Sequence, residues 1–109
     1  MTPIKDTTMQ ALIARYPVIL FDSFGVLASS NAVLPGAVEL IANLNAIGKT
    51  YFVLTNDASA LPESRSENYA KLALNIKPEQ IITSGSLLSR YFADEHLQGL
   101  RCVILGPED

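Results

Sequence analysis

Asp22 ends the apolar run Val18-Ile-Leu-Phe21, and Thr55-Asn56-Asp57 ends a second, Tyr51-Phe-Val-Leu54. If both runs are strands, a carboxylate, a hydroxyl and an amide arrive at neighbouring strand ends. Such a set can hold a phosphate or a hard cation: Mg²⁺ prefers carboxylate and carbonyl oxygens, and the Thr55 hydroxyl can donate to a phosphate oxygen. Thr83 and Ser84, after Ile81-Ile82, offer a third polar strand end. The same residues equally suit strand termination and helix capping, so spacing alone leaves both readings open. Other chemistries are excluded more firmly. Phe21-Asp-Ser-Phe-Gly25 lacks the glycine two positions before Ser23 that a hydrolase nucleophile elbow needs. Neither Gly-x-x-x-x-Gly-Lys nor Gly-x-Gly-x-x-Gly occurs, which removes the nucleotide-loop readings. His96, the single histidine, follows Asp94 and Glu95 and reads as a solvated helix end, and Ser84-Gly-Ser86 reads as ordinary capping.

The elements that must position these residues follow from periodicity and punctuation. Four apolar runs (18–21, 51–54, 81–82 and 102–105) are continuous, as in parallel strands buried on both faces. Pro35-Gly36 opens a helix with Ala37, Leu40, Ile41, Leu44 and Ile47 at helical spacing, and Gly48 stops it. Ser64-Arg-Ser-Glu67 fits a capping box for a second helix carrying Tyr69, Leu72 and Ala73, with Pro78 beyond it. A third helix from about Ser86 is expected to bury Leu87, Leu88, Tyr91 and Phe92. Thr7-Thr-Met-Gln10 is a capping-box candidate for a leading helix with Met9, Leu12 and Ile13 on one face. A frayed arm is the alternative there, so residues 1–16 are set apart from a core over 17–109. Strands alternating with helices predict an α/β fold: a three-layer, Rossmann-like parallel sheet with right-handed crossovers and helices on both faces. In such sheets ligands lie outside the carboxyl ends of the strands, which gathers Asp22, Thr55 and Asn56 on one rim.

A chain of 109 residues is the size of one domain, and 49% apolar with 17% charged residues argues against disorder. The net charge of -3, with no basic cluster, disfavours nucleic acid and anionic lipid as partners. No stretch nears the ~18 apolar residues that span a membrane, and no targeting segment is visible. Cys102 is the single cysteine and cannot form an internal disulfide; within Cys-Val-Ile-Leu105 it is expected to be a buried thiol in a reducing, cytoplasmic setting. The chain stops two residues after the expected fourth strand's Gly106-Pro107, where an α/β unit would turn into its next helix, so an incomplete core is expected. An incomplete sheet exposes an apolar edge, which makes a homo-oligomer an expectation worth testing.

The stretch VILFDSFGVL, followed by LPGAVELIANLNAIGKTYFVLTNDAS and IITSGSLLSRYF, resembles the amino-terminal part of a haloacid dehalogenase (HAD) superfamily phosphatase. Within class IIA it most resembles the NagD-like, p-nitrophenylphosphatase branch, over about Val18 to Gly106 and with three motifs in order. The resemblance implies a HAD-like core in which Asp22 is the nucleophile that forms an aspartyl-phosphate, a case of covalent catalysis by a carboxylate. It further implies that Asp22 and the backbone carbonyl of Phe24 ligate Mg²⁺, and that Thr55 and Asn56 bind the phosphoryl group of a small phosphate ester. Phe24 departs from the pattern, because the family's phosphatases place there a second aspartate that protonates the leaving group and later activates water. Assistance of that kind is worth about 10²- to 10⁴-fold, so poor leaving groups such as alkyl phosphates should suffer most. The family's lysine, its late acidic pair and its cap domain would all lie past residue 109, and the chain alone is therefore expected to be inactive. Phe24 also motivates an alternative, a non-catalytic phosphate-binding or regulatory homologue. A receiver-like signalling domain fits less well, since the acidic acceptor stands on the wrong strand.

Overall fold

The computed structural model describes residues 3–106. Its elements run α1 (Met9–Arg15), β1 (Val18–Asp22), α2 (Ala37–Ala46), β2 (Thr50–Thr55), α3 (Pro62–Lys71), β3 (Ile81–Thr83) and α4 (Leu88–Asp94), with short 3-10 turns at Pro78–Gln80 and Gly85–Leu87. The strands form one parallel sheet in the order β1-β2-β3. Asp22 lies opposite Leu54, Leu54 opposite Ile82, and Thr55 opposite Thr83, so the three carboxyl ends share one rim. This is the α/β parallel architecture expected from the alternation of strands and helices. No helix among the described residues is long and apolar enough to cross a membrane.

The helix ends explain where the chain turns back to the sheet. After α2 the Lys49 N–H donates to the Leu44 carbonyl at 2.9 Å and the Gly48 N–H to the Asn45 carbonyl at 3.2 Å, with Gly48 at φ 67°. This is a Schellman closure, and glycine suits it because the left-handed conformation carries no Cβ penalty. α3 and α4 close the same way through Ala73 (φ 61°) and His96 (φ 56°), which gives His96 its place at a helix end. At the amino ends, the Thr8 hydroxyl accepts from the Ala11 N–H at 3.2 Å, so α1 is a formed helix capped one residue later than expected. α3 begins at Pro62, not at Ser64: proline's fixed φ suits the first helical position, and the Ser64–Glu67 box falls inside the helix.

The core lies on one side of the sheet. Phe21, Tyr51, Val53 and Ile81 point to one face and pack against Ala37, Ile41 and Leu44 of α2, Tyr69 of α3, and Leu74 and Ile76. Both crossovers step in the same direction across the sheet, and right-handed connections then place both helices on the same face. The expectation of strands buried on both faces therefore holds on one face only. On the other, Val18, Leu20 and Leu54 are exposed, Leu20 at 57%.

Three further expectations are corrected. Residues 101–105 form no strand, and Val103, Ile104 and Leu105 are exposed, because the run has no ladder partner among the described residues. Cys102 is accordingly an exposed thiol, not a buried one. Leu87, Leu88 and Tyr91 are about half exposed, so the third helix is formed but its apolar side is uncovered. The expected stop at Glu108-Asp109 lies outside the described residues.

Tyr51 gives the core a pH dependence. Its ring is buried and its hydroxyl donates to Asn45 Oδ1 at 2.9 Å. Burial raises the phenol above its ordinary value of 10.0, with hydrogen bonding to Gln80 and Asn45 opposing the rise. The folded state thus holds this proton more tightly than the unfolded state. Its contribution is complete below about pH 10 and is lost as pH climbs through the raised folded value. Urea midpoints measured across the alkaline range are expected to fall, and Tyr51→Phe to flatten that fall; an equally steep decline in the variant would place the dependence elsewhere.

Candidate active site at the strand rim

β1 delivers Asp22 to the rim, exposed, with its Oδ1 accepting the Ser23 N–H at 2.9 Å. The chain then winds around the Ser23 carbonyl, which accepts from Leu27 at 2.9 Å, Val26 at 3.2 Å and Ala28 at 3.3 Å. Gly25 makes this turn at φ 80°, a conformation side-chain-bearing residues rarely adopt, and its N–H donates to the Ala28 carbonyl at 2.8 Å. The hydroxyl of Tyr69, the one buried residue of α3, makes a short hydrogen bond with Ser23 Oγ. The loop that follows Asp22 is thereby tied to the core helix.

Side-chain alternation places Asp22 with Leu54 and Ile82 on the open face, and Thr55 with Thr83 on the covered one. They meet at the rim, where Asp22, Thr55, Asn56, Thr83 and Ser84 line one shallow depression of about 340 Å³. Thr55 Oγ1 accepts from the Asp57 N–H at 3.2 Å, the Ser84 N–H donates to the Thr55 carbonyl at 3.0 Å, and Ser84 Oγ donates to the Asn56 carbonyl at 2.9 Å. The ends of β2 and β3 are held together by these bonds. The Thr83 hydroxyl, buried, accepts from the Ser86 N–H at 3.0 Å, so the side-chain acceptor at this turn is Thr83 and not Ser84 or Ser86 as the sequence suggested.

Phe24 is 69% exposed and does not line that depression. It lines a larger cleft of about 540 Å³ on the helix side of the rim, together with Thr55, Asn56, Asp57, Arg65 and Tyr69. Thr55 and Asn56 stand on the ridge between the two hollows. In the larger cleft Arg65 pairs with Asp57, whose Oδ1 also accepts from the Ser59 N–H at 2.8 Å. That ion pair and the Ser23–Tyr69 contact escape sequence reasoning, because each joins residues from different elements with no shared spacing.

Among the described residues no group of three or more His, Cys, Asp or Glu stands close enough to hold a metal. Asp22 and a backbone carbonyl such as that of Phe24 are oxygen donors of the kind Mg²⁺ takes, but they are a minority of an octahedral shell. A phosphate and water would have to complete it.

A family model for haloacid dehalogenase-like hydrolases matches residues 19–109. Chronophin from Bos taurus is 32% identical over 108 residues, which cover 97% of this chain and 33% of that protein. Acid sugar phosphatase from Staphylococcus aureus is 26% identical over 81 residues, covering 74% of this chain and 31% of the other. Among solved structures, one described as a possible sugar phosphatase of the HAD superfamily from Cytophaga hutchinsonii superposes with a TM-score of 0.73 at 36% identity, over 84% of this chain and 32% of that one. The chain thus spans about a third of the length of these relatives. With a matched family model over most of its length and a solved relative superposing on its parallel sheet, the chain belongs to the haloacid dehalogenase-like hydrolases.

Proposed function

We propose that the chain forms the amino-terminal part of a phosphatase acting on small phosphomonoesters, with Asp22 as its nucleophile. The observation that carries this reading is the rim itself: an exposed carboxylate at the end of β1 shares one depression with Thr55 and Asn56 at the end of β2. A carboxylate oxygen of Asp22 attacks phosphorus, the bond to the ester oxygen breaks, and water later releases phosphate from the acyl phosphate. The Ser23 N–H on Oδ1 restricts how the carboxylate can rotate. The Thr55 hydroxyl and the Asn56 amide bind phosphoryl oxygens. Mg²⁺, held by Asp22 and the Phe24 carbonyl, would offset the charge on the phosphoryl group. Phe24 has no proton to give, so aryl esters, whose leaving groups need little protonation, are the favoured substrates.

The complete protein, assayed with p-nitrophenyl phosphate, is expected to turn over in Mg²⁺ and to lose that activity in EDTA. Undiminished activity in EDTA would remove the metal from the reading. The exposed Phe24 side chain favours a second reading, phosphate binding without turnover. Its signature is no hydrolysis in Mg²⁺ together with stabilisation by inorganic phosphate, worth about 2.7 kcal/mol at a hundredfold excess over Kd. The 109 residues alone are expected to show no turnover, because a single carboxylate is a poor metal site.

A further inference from the structure

Asp57 is an acidic side chain at the rim that the proposed chemistry does not use. It follows Thr55 and Asn56 directly and lines the larger cleft with both of them. Its backbone N–H donates to Thr55 Oγ1 at 3.2 Å, which occupies one acceptor site of that hydroxyl and leaves the hydroxyl proton for another acceptor. Its carboxylate is bonded on both oxygens: Oδ1 accepts from the Ser59 N–H at 2.8 Å and the Ser59 hydroxyl at 2.5 Å, and Oδ2 accepts from Arg65 Nη2. A phosphate ester on Thr55 and Asn56 is an anion, and Asp22 and Asp57 are the two carboxylates that line the hollows on either side of them. Asp22 has to be charged to attack phosphorus. Asp57 does not, and an uncompensated charge on it repels the ligand.

Stability alone accounts poorly for the ion pair. The Arg65 and Asp57 side chains stay 23% and 31% exposed, and a pair that open to solvent adds little to folding. Arg65 Nε is moreover buried without a partner, which opposes folding. The third charged side chain lining the cleft, Lys71, is exposed, where solvent and salt screen it. We infer that Arg65 is a positioning residue for the phosphate site: its guanidinium cancels the charge of Asp57, so that Thr55 and Asn56 can take an anion beside that carboxylate. The inference rests on the reading of Thr55 and Asn56 as phosphoryl ligands. The ester carries its negative charge before and during the reaction, so the effect falls on binding more than on turnover.

Calorimetric titration of inorganic phosphate into the complete protein in Mg²⁺ tests this, beside steady-state kinetics with p-nitrophenyl phosphate. Arg65→Met, which keeps the stem and removes the charge, is expected to weaken phosphate binding and raise KM at least about tenfold, with kcat changed by less than about threefold. Asp57→Asn, which keeps an acceptor for Ser59, is expected to tighten phosphate binding by about threefold or more, since Arg65 is left as a surplus cation. The double variant is expected to bind phosphate within about threefold of the natural protein. A tie that merely holds the loop in place gives another pattern, because the double variant lacks that tie as fully as Arg65→Met does. Weak phosphate binding by the double variant therefore overturns the proposal. Should Arg65→Met fail to fold, Asp57→Asn decides, and anything but tighter binding overturns it. Normal phosphate binding by Arg65→Met overturns this inference alone, whereas a natural protein that neither binds phosphate nor hydrolyses the ester overturns the phosphatase reading with it.

Discussion

Asp22→Asn in the complete protein is expected to lower kcat for p-nitrophenyl phosphate by at least about 10⁴-fold, as removal of a covalent nucleophile does elsewhere. An amide oxygen is too weakly nucleophilic to attack phosphorus, yet it can still accept the Ser23 N–H that positions it. The side chain is exposed, so nothing in the core depends on its charge. Thr55 and Asn56 keep their places through bonds that do not involve Asp22, which leaves the phosphate contacts proposed for those two groups intact. KM should consequently change far less than kcat, and the melting temperature hardly at all. Steady-state kinetics with a thermal melt on the same preparation decide it: a fall in kcat of less than tenfold would remove Asp22 from the covalent role.

Phe24→Asp is expected to act in the opposite direction, raising turnover of alkyl phosphates by about 10²- to 10⁴-fold while changing aryl esters much less. An alkoxide leaves poorly unless it is protonated as the bond breaks, and a carboxylic acid at this position could supply the proton. A nitrophenolate needs little such help. The Phe24 ring is 69% exposed and belongs to no packed cluster, so its removal carries little folding cost. A plot of log kcat/KM against leaving-group pKa should therefore be steep for the natural chain and shallow for the variant. Equal slopes would mean that another group already serves as the acid, and that Phe24 has a different purpose.

The local signals read most directly were those that depend on near neighbours. The apolar run before Asp22 became β1, the run before Thr55 became β2, and Gly48 ended α2 because its left-handed conformation is a property of one residue and the turn before it. Cys102–Leu105 has the same composition as those strands and forms none. A strand exists only through hydrogen bonds to another strand, and no count of apolar residues shows whether that partner is present. The Ser64 box failed for a related reason: Pro62 already satisfies the helix start two residues earlier.

By itself, then, the sequence determined the order of elements from α1 to α4 but not the end of the chain, the parallel class of the sheet, the arrival of Asp22, Thr55 and Asn56 at one end of it, and the absence of an acid at Phe24. These follow from periodicities of two and 3.6 residues and from the identity of single side chains. Only the tertiary structure decided that both crossover helices share one face, that Asp22 lies on the opposite, open side, and that Phe24 lines a second hollow that adjoins the one at Asp22 through Thr55 and Asn56. It also brought Tyr69 to Ser23 and Arg65 to Asp57. Those outcomes depend on crossover handedness and on contacts between elements distant in the chain, where neighbouring residues carry no record of the partner.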